Sequence, residues 1–424
     1  MVSLGTLFGA DAAVLRDREF QLLLLVNVSP PLGTALVSPL LDTLTGTYGV
    51  SEAEIGLMVT AFTAPSIFLI PLIGLLADRY GRKAVMLAGL LLFGAGGAGL
   101  AFTTDFGAVL ALRFVQGVGF GGLTPVIVAS IGDLYDGGAE ATAQGLRFAA
   151  SGLTLMTLPL LGGLLVAVAW YVPFALYLVP FPVAVLLYLF FEEPSREETD
   201  GEGGENAGGS VGELLSLLRQ PRVAAVLVGR SVPNFAYIAF LTYNSFIVVR
   251  AVGGTPEQAG LLVAVTSVAH TVAATQAGRV TERFDSRLYP LMGGALALGG
   301  GLALLGLAPT LPVVLAAGGV VGLGFGLSLS LYRSVITGLA PTALRGGVVS
   351  AGASLGRAAA TVAPLAMGLT VGLTQDSLGF VVAVRWTVAG VGVLCAGVGV
   401  LVLVVAHVSP PVEYAVRGVA VSED

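Results

Sequence analysis

The sequence has very few of the residues that disulfide-linked, metal-binding or nucleic-acid-binding proteins use. It has one cysteine and two histidines, His270 and His407, among 424 residues. One thiol excludes an intrachain disulfide framework, and two distant histidines cannot form a His-x-x-x-His metal pair. The 20 lysines and arginines form no basic patch of the kind that binds nucleic acid. We therefore expect no bound metal, no cofactor and no nucleic-acid partner.

Charge of either sign is also scarce. Charged residues make up 11% of the chain, against about 25% in an ordinary globular protein. The residues AVILMFWYC make up 55%, and the mean hydropathy is +0.92. The single lysine, Lys83, follows Arg82, so the chain lacks a phosphate-binding loop ending in Gly-Lys-Ser/Thr, which an ATP-driven pump needs. This composition indicates a membrane protein with many spans.

Windows of about 20 mostly apolar residues are typical of membrane-spanning helices. Twelve such windows occur, and Pro30 and Pro31 divide the first. All should be α-helical, because lipid cannot satisfy exposed backbone polar groups. We therefore predict an all-α polytopic membrane protein with twelve transmembrane helices. The windows lie near 19–43, 54–77, 84–103, 106–130, 145–168, 172–191, 223–249, 257–279, 288–308, 311–338, 346–373 and 379–406.

Basic residues are unevenly distributed between the two sides of these spans. If the N-terminus is cytoplasmic, nearly all arginines of the short loops fall on the cytoplasmic side, and Arg250 is the main exception. The positive-inside rule then predicts a multi-pass protein of the cytoplasmic membrane with both termini cytoplasmic. The acidic, Gly- and Ser-containing segment 195–221 is predicted to be a flexible cytoplasmic linker. It separates an N-terminal six-helix bundle, 1–194, from a C-terminal six-helix bundle, 222–424.

The two halves resemble each other at an almost constant offset. Residues 74–83 match 278–287, and residues 117–121 match 322–326. Pro159 and Gly163 align with Pro364 and Gly368 at the same offset. Each half therefore starts on the same side of the membrane, which predicts two parallel six-helix repeats.

The loop between spans 2 and 3 resembles the signature loop of the major facilitator superfamily of secondary transporters. Its glycines would permit close helix approach and a tight turn, and Asp78 could accept hydrogen bonds at a neighbouring helix start. The resemblance implies a conformational latch between the two halves, in which Arg82 pairs with Asp78 and Asp133. The alternative is that the basic residues are only topology anchors. The latch residues are Gly74, Asp78, Arg79, Gly81, Arg82, Lys83 and Asp133.

Two further motifs extend the resemblance. Arg113-x-x-Gln116-Gly117 in span 4 is similar to the second motif of the superfamily, and Pro159-x-x-Gly162-Gly163 in span 5 resembles its antiporter motif. Pro31-Leu-Gly-Thr34 in span 1 resembles the drug and proton antiporter branch, although Ala35 stands where that branch often has Asp. Close helix packing is expected at Gly117, Gly121, Pro159, Gly162 and Gly163.

Four residues are candidates for proton coupling. Burying Arg113 in a span costs roughly 2.5–3.5 kcal/mol, so it faces a cavity or partner, or it extends to the interface. By resemblance, Arg113 and Gln116 take part in coupling. His270 is either a proton carrier or a structural histidine. Asp42 closes span 1, and the alternative to a coupling role is that it simply caps that end. No Asp or Glu lies at the middle of any predicted span.

Polar and aromatic residues near the proline breaks of spans 1 and 7 mark the predicted substrate cavity. Arg357, near the middle of span 11, could bind an anionic group or pair within its own half. Arg230 and Arg333, near predicted cytoplasmic ends, are expected at the interface. The cavity candidates are Asn27, Asn234, Tyr237, Tyr243, Asn244, Gln276, Tyr332 and Arg357.

These features predict a secondary transporter rather than an enzyme. The leading version is a monomer that exports apolar or amphipathic small molecules in exchange for protons. An organic-anion or sugar transporter and an uncoupled facilitator remain open. A remote alternative is a prenyltransferase-like membrane enzyme, in which Asp133, Asp136 and Glu140 would chelate Mg²⁺ by resemblance. Membrane lipid is the other expected contact.

Overall fold

The computed structural model describes residues 14–193, 211–410, 412, 414–416 and 419–421. Eleven helical segments in these ranges are long and apolar enough to cross a membrane, and a twelfth, Leu57–Tyr80, is bent by 63° between Leu69 and Leu72. The predicted all-α polytopic fold is confirmed, apart from one short strand pair near the C-terminus.

The secondary structure follows the predicted windows closely. The α-helices run over Arg18–Asn27, Ser29–Ala35, Leu41–Tyr48, Leu57–Tyr80, Arg82–Gly99, Phe106–Gly121, Thr124–Leu134, Gly137–Val166, Pro180–Phe190, Val211–Leu218, Pro221–Phe246, Pro256–Thr281, Leu288–Leu307, Leu311–Gly338, Thr342–Leu378 and Phe380–Val408. Short 3₁₀ turns occupy Ser38–Leu40, Leu100–Phe102 and Val172–Leu178, a π turn occupies Ile247–Ala251, and the paired strands are Tyr414–Val416 and Val419–Val421.

We number the spans in chain order. They are Arg18–Tyr48, Leu57–Tyr80, Arg82–Phe102, Phe106–Leu134, Gly137–Val166, Val172–Phe190, Pro221–Ala251, Pro256–Thr281, Leu288–Leu307, Leu311–Gly338, Leu344–Leu378 and Phe380–Val408, as spans 1 to 12.

Span 1 is longer and more broken than its sequence window. Asp17 caps its first helix by accepting a hydrogen bond from the Glu19 backbone. The prolines at 30 and 31 stand in the first turn of the next helix, where a missing N–H costs little. The span ends only at Tyr48, six residues beyond Asp42. The prediction that Asp42 closes span 1 is therefore wrong, because helical structure continues past the window at 19–43.

The chain divides into two compact units. Unit 1 comprises 1–195, 244–249 and 253–264, and unit 2 comprises 196–243, 250–252 and 265–424. In unit 1, span 4 packs along spans 2 and 3, and in unit 2, span 9 packs along spans 10 and 12. The predicted boundaries 1–194 and 222–424 follow the six-plus-six order of spans and stay a prediction.

Part of the predicted flexible linker is a helix. Residues 195–210 of the predicted segment 195–221 lie outside the described residues, whereas Val211–Leu218 is α-helical. Its leucines at i, i+3 and i+4 form an apolar face, and Leu217 is buried in the core of unit 2 with Leu214 and Leu218 packed beside it. The segment as a whole is polar, so its composition does not reveal this short apolar face. The prediction of a flexible linker is therefore wrong for Val211–Leu218.

Candidate functional site

The turn between spans 2 and 3 holds Arg82 between two carboxylates. Gly81, which connects the two helices, has a φ of 92°, a backbone conformation that favours glycine. The Arg82 Nε donates to Asp133 Oδ2 at 2.8 Å, and its Nη1 lies 3.4 Å from Asp78 Oδ1. We call Asp78, Arg82 and Asp133 the signature-loop cluster; within unit 1 it ties the end of span 4 to the turn between spans 2 and 3.

Glu193, which the sequence analysis missed, accepts hydrogen bonds at the start of span 3. The backbone N–H groups of Arg82 and Lys83 both donate to its Oε1. A carboxylate at a helix N-terminus is stabilised by free N–H groups and by the helix dipole. The Lys83 Nζ donates to the carbonyl of Phe191 at 2.6 Å. The signal in the sequence was the acidic pair at 192 and 193, directly after span 6.

The other two signature-loop residues make looser contacts. The guanidinium of Arg79 lies 5.5 Å from the ring centre of its neighbour Tyr80. A Cβ added to Gly74 would meet nothing within 4 Å. The expected close helix approach at Gly74 is therefore absent in this structure.

Arg113 is fully buried in span 4 and its hydrogen bonds are made within unit 1. Its Nε donates to the Met58 carbonyl at 3.0 Å, its Nη2 to the Gly33 carbonyl at 2.8 Å, and its Nη1 to Gln116 Oε1 at 2.6 Å. The guanidinium also lies 4.6 Å from the ring centre of Phe62. Arg113 therefore does not extend to the membrane interface, which rules out the snorkelling alternative.

Glycines bring spans 1, 2 and 4 together around this arginine. A Cβ on Gly117 would overlap the carbonyl of Phe62, and a Cβ on Gly33 would overlap the Phe62 ring. Tyr177 of span 6 is buried beside them and donates to the Leu32 carbonyl at 2.8 Å. The Nε2 of Gln116 is buried without a hydrogen-bond partner. Close backbone packing thus creates the pocket of carbonyls that holds Arg113.

Asn27 belongs to a second polar cluster, between spans 1 and 5. Its Nδ2 donates to Ser151 Oγ at 2.8 Å and to the Arg147 carbonyl at 3.2 Å. Its Oδ1 accepts from Arg147 Nη1 at 3.5 Å. Arg147 is buried, although its place near the start of the predicted window 145–168 indicates only a topology anchor. Span 5 begins at Gly137, and this earlier start puts Arg147 inside the span.

The motif in span 5 makes close backbone contacts within unit 1. A Cβ on Gly162 would lie 2.9 Å from the Leu36 carbonyl oxygen, and one on Gly163 would lie 2.5 Å from that of Pro256. The Pro159 carbonyl would be overlapped by a Cβ on Gly260. Gly121 is different, because its added Cβ would meet only the flexible end of Ile73 at 3.1 Å. The expected close packing is therefore present at Gly162 and Gly163 and weaker at Gly121.

Asn244, Tyr243 and Asp42 lie near irregular turns of spans 1 and 7. These turns are the 3₁₀ turn Ser38–Leu40 and the π turn Ile247–Ala251. Asn244 is buried and its Nδ2 donates to Ser38 Oγ at 2.6 Å, within unit 1. Tyr243 is also buried, but it belongs to unit 2. Asp42 is half-buried. Among the acids of the described spans, it lies furthest from a span end.

An aromatic cluster forms in unit 2. Tyr237 stacks on Phe325 with ring centres 4.1 Å apart and planes 2° apart. His270 packs edge-on against Phe325 at 5.0 Å, and all three are inside their spans. Phe325 was missed because a phenylalanine in a span carries no signal of its own. Gln276 lies apart from this cluster and accepts a hydrogen bond from Arg279 on its own helix at 2.7 Å.

Arg230 and Arg357 lie in a separate group in unit 2, near Tyr332 and Asn234. Gly229 packs so closely on Tyr332 that a Cβ would overlap its hydroxyl, and a Cβ on Gly356 would lie 2.7 Å from Asn234 Nδ2. These contacts bring spans 7, 10 and 11 together. The Nη1 of Arg230 is buried and has no hydrogen-bond partner. The expectation that Arg230 lies at the interface is therefore wrong.

Outside the spans, Tyr135 stands at the end of span 4 and donates to Asp17. Burial and this hydrogen bond raise the pKa of Tyr135. Hydrogen bonds from Ser51 lower the pKa of the exposed Glu54. Among the described residues, no group of three His, Cys, Asp or Glu is arranged to hold a metal ion.

A family model described as Major Facilitator Superfamily matches residues 23–248 and again 234–421. The chain belongs to this superfamily. The two overlapping matches cover both halves, so the resemblance inferred from the signature loop is confirmed. The matched family is one of transporters, which leaves the prenyltransferase-like enzyme without support.

Two curated relatives of this superfamily member are named as an exporter and as a multidrug transporter. The bacillibactin exporter of Bacillus subtilis is 36% identical over 152 residues, which are 34% of this chain and 37% of the relative. The multidrug transporter MdtP of the same organism is 32% identical over 169 residues, 38% of this chain and 31% of the relative. The alignments thus span only about a third of each relative's length. They place the chain near transporters of the drug-efflux type.

A solved structure agrees with the fold over almost the whole chain. A bacterial homologue of the human lysosomal transporter Spinster superposes with a TM-score of 0.79 at 15% identity, covering 94% of this chain and 98% of the other. At this identity the match concerns the fold alone.

Proposed function

We propose that this superfamily member exports small apolar or amphipathic molecules from the cytoplasm in exchange for protons, by alternating access between its two six-helix bundles. The observation that carries the proposal is the double match to the superfamily, one match to each half, together with one relative named as an exporter and one named as a multidrug transporter. The protein would work as a single chain in the cytoplasmic membrane, with both termini in the cytoplasm, as the arginine distribution predicts.

Asp42 is the proposed proton carrier. A carrier must lie within the membrane and change its protonation state during the cycle, and acidic residues inside spans are costly unless they have such a role. Asp42 is the acid furthest from a span end among the described spans, and it is half-buried. Since Ala35 replaces the acid of the drug antiporter branch, Asp42 would take over its role from a position further along span 1.

Arg113 is proposed to support coupling from a fixed position. Its guanidinium is held by two backbone carbonyls and by Gln116, so it contributes a permanent positive charge inside unit 1. A buried charge acts over a long distance because the surrounding dielectric constant is low. His270 remains a second candidate for the proton site, since it is half-buried and packs on Phe325.

The aromatic cluster supports an apolar or amphipathic substrate. Tyr237, Phe325 and His270 offer stacked and edge-on ring surfaces inside unit 2, and such surfaces bind apolar bodies with little loss of side-chain entropy. The signature-loop cluster would act as the conformational latch, because its arginine contacts two carboxylates whose pairing a movement of span 4 would break. In the alternative, these arginines serve only as topology anchors.

The test is proton flux in proteoliposomes that contain the purified full chain and an internal pH dye. Lipophilic cations, neutral drugs and organic anions would be added in turn. We expect a substrate-dependent pH change with the wild type and its loss in Asp42→Asn. The matched control is Asp376→Asn, which removes an exposed acid at the end of span 11 and should leave the flux unchanged.

Three outcomes separate the versions of the function. A pH change that persists in Asp42→Asn but disappears in His270→Ala would move the proton site to His270. Substrate movement without any pH change would contradict coupling and favour the uncoupled facilitator. Loss of flux in both Asp variants to the same extent would contradict a specific role for Asp42.

A further inference from the structure

Arginines lie inside spans of both units: Arg113 of unit 1 is fully buried, and Arg230 and Arg357 of unit 2 are half-buried. Their hydrogen bonds differ. Arg113 in unit 1 has an acceptor for each of its three guanidinium nitrogens, two of them backbone carbonyls. Arg230 and Arg357 in unit 2 make no side-chain hydrogen bond to the described residues, and no described carboxylate lies within salt-bridge distance of either. The contrast matters because a charged side chain inside a membrane span usually pairs with another group.

The two arginines lie inside their spans and close to each other. Arg230 stands in the interior of span 7 and Arg357 in the interior of span 11. Gly356, the neighbour of Arg357, packs on Asn234, which itself donates to the Arg230 carbonyl at 3.0 Å. Gly229, the neighbour of Arg230, packs on Tyr332 of span 10. Two cationic side chains from spans 7 and 11 therefore share one region of unit 2.

Such a group is unfavourable without an anion. Like charges repel strongly where the effective dielectric constant is low, and an arginine inside a span pairs with a carboxylate or marks a ligand pathway. The fully buried Nη1 of Arg230 adds an unpaired donor that could serve a ligand. The phenol of Tyr332 and the amide of Asn234 provide further polar groups beside it.

We propose that Arg230 and Arg357 form a binding site for the anionic group, carboxylate or sulfonate, of a small amphipathic organic anion that this transporter carries. The planar guanidinium groups match the oxygen pairs of such a group and can bind it in bidentate fashion. The aromatic cluster of Tyr237, Phe325 and His270 belongs to the same unit and would receive an apolar body. The inference rests on the proposed function, since it specifies the substrate of that transporter.

The experiment measures binding of three probes to the purified full chain in detergent by calorimetry. The probes 2-naphthalenesulfonate, 2-naphthylmethanol and (2-naphthylmethyl)trimethylammonium share one ring system and are negative, neutral and positive. We expect the sulfonate to bind about tenfold or more tightly than the other two, because a charge-assisted hydrogen bond strengthens binding by about that factor. Arg357→Gln and Arg230→Gln should each lose this preference, whereas Arg357→Lys should retain part of it.

Controls distinguish a ligand site from a packing role. Arg279→Gln changes an arginine of span 8 that already pairs with Gln276, and it should bind all three probes like the wild type. Neutralising Arg357 removes repulsion, so the unfolding temperature of ligand-free Arg357→Gln should equal or exceed that of the wild type. A marked fall in that temperature together with equal loss of all three probes would overturn the proposal.

Binding in detergent requires neither transport nor a proton gradient, so this inference and the proposed function can fail separately. A sulfonate that does not bind, or binds no more tightly than the neutral probe, overturns the anion site. Proton-coupled export of neutral or cationic drugs would stand in that case. A sulfonate preference in a protein that moves no protons would uphold the site and contradict the coupling.

Discussion

At the scale of single residues, the position of a charge matters less than the acceptors that surround it. Arg113, Arg230 and Arg357 look alike in the sequence, each an arginine in an apolar window. Only the structure shows that backbone carbonyls exposed by the close packing around Gly33 and Gly117 satisfy Arg113. We infer a stabilising arginine in unit 1 and ligand-binding arginines in unit 2.

Truncation of Arg113 should therefore be severe. Arg113→Ala removes three buried hydrogen bonds, to the carbonyls of Met58 and Gly33 and to Gln116, and opens a cavity, which should cost about 3 kcal/mol or more of unfolding free energy. Thermal unfolding of the purified protein measures this. Arg18→Ala is the matched control, because Arg18 makes only exposed ion pairs that are worth under about 1 kcal/mol. Equal shifts in the two variants would contradict the buried hydrogen-bond arrangement.

Some residues of the candidate site were predictable from the sequence and others were not. The pairing of Arg82 with Asp78 and Asp133 follows from the signature motif, and the structure contains both contacts. The capping role of Glu193 and the depth of Asp42 depend on where helices start and end, which hydropathy windows do not define. The partners of Arg113 are backbone atoms, and no side-chain pattern encodes them.

At the scale of the helices, glycine-rich faces set how closely the spans approach. A Cβ on Gly117 would overlap the Phe62 carbonyl of span 2, and one on Gly322 would overlap the Thr266 carbonyl of span 8. The same motif at the same position in both halves gives the same contact between corresponding spans. Rows of small residues in the sequence therefore predict which faces of the helices pack together. They do not predict how closely the helices approach.

Alanine substitutions test these contacts. Gly117→Ala and Gly322→Ala should each lower the unfolding temperature and reduce transport, because the opposing atoms are backbone and cannot move aside. Gly300→Ala should be neutral or slightly stabilising, since an added Cβ there meets nothing within 4 Å and alanine favours helix by up to about 1 kcal/mol. Unfolding temperatures of the three variants, measured side by side, decide the matter. A tolerated Gly117→Ala would contradict the close approach of spans 2 and 4.

At the scale of the whole molecule, composition alone predicts the fold class, and the internal repeat predicts its two halves. Hydrophobic windows work well here because lipid imposes one helical solution on every span. The helix Val211–Leu218 was missed because its apolar face is short and lies in a polar segment. The substrate is harder to predict, since it depends on a few side chains such as Arg357 and Tyr237 that any apolar span could contain.

The central claim is that the chain couples substrate movement to a proton gradient. The most direct measurement is uptake of the substrate found in the pH-dye panel into proteoliposomes with an imposed acidic lumen. The account predicts accumulation above the equilibrium level as protons leave the lumen, abolished by a protonophore and absent in Asp42→Asn and in protein-free vesicles. Equal substrate levels with and without the gradient would contradict it and leave an uncoupled facilitator.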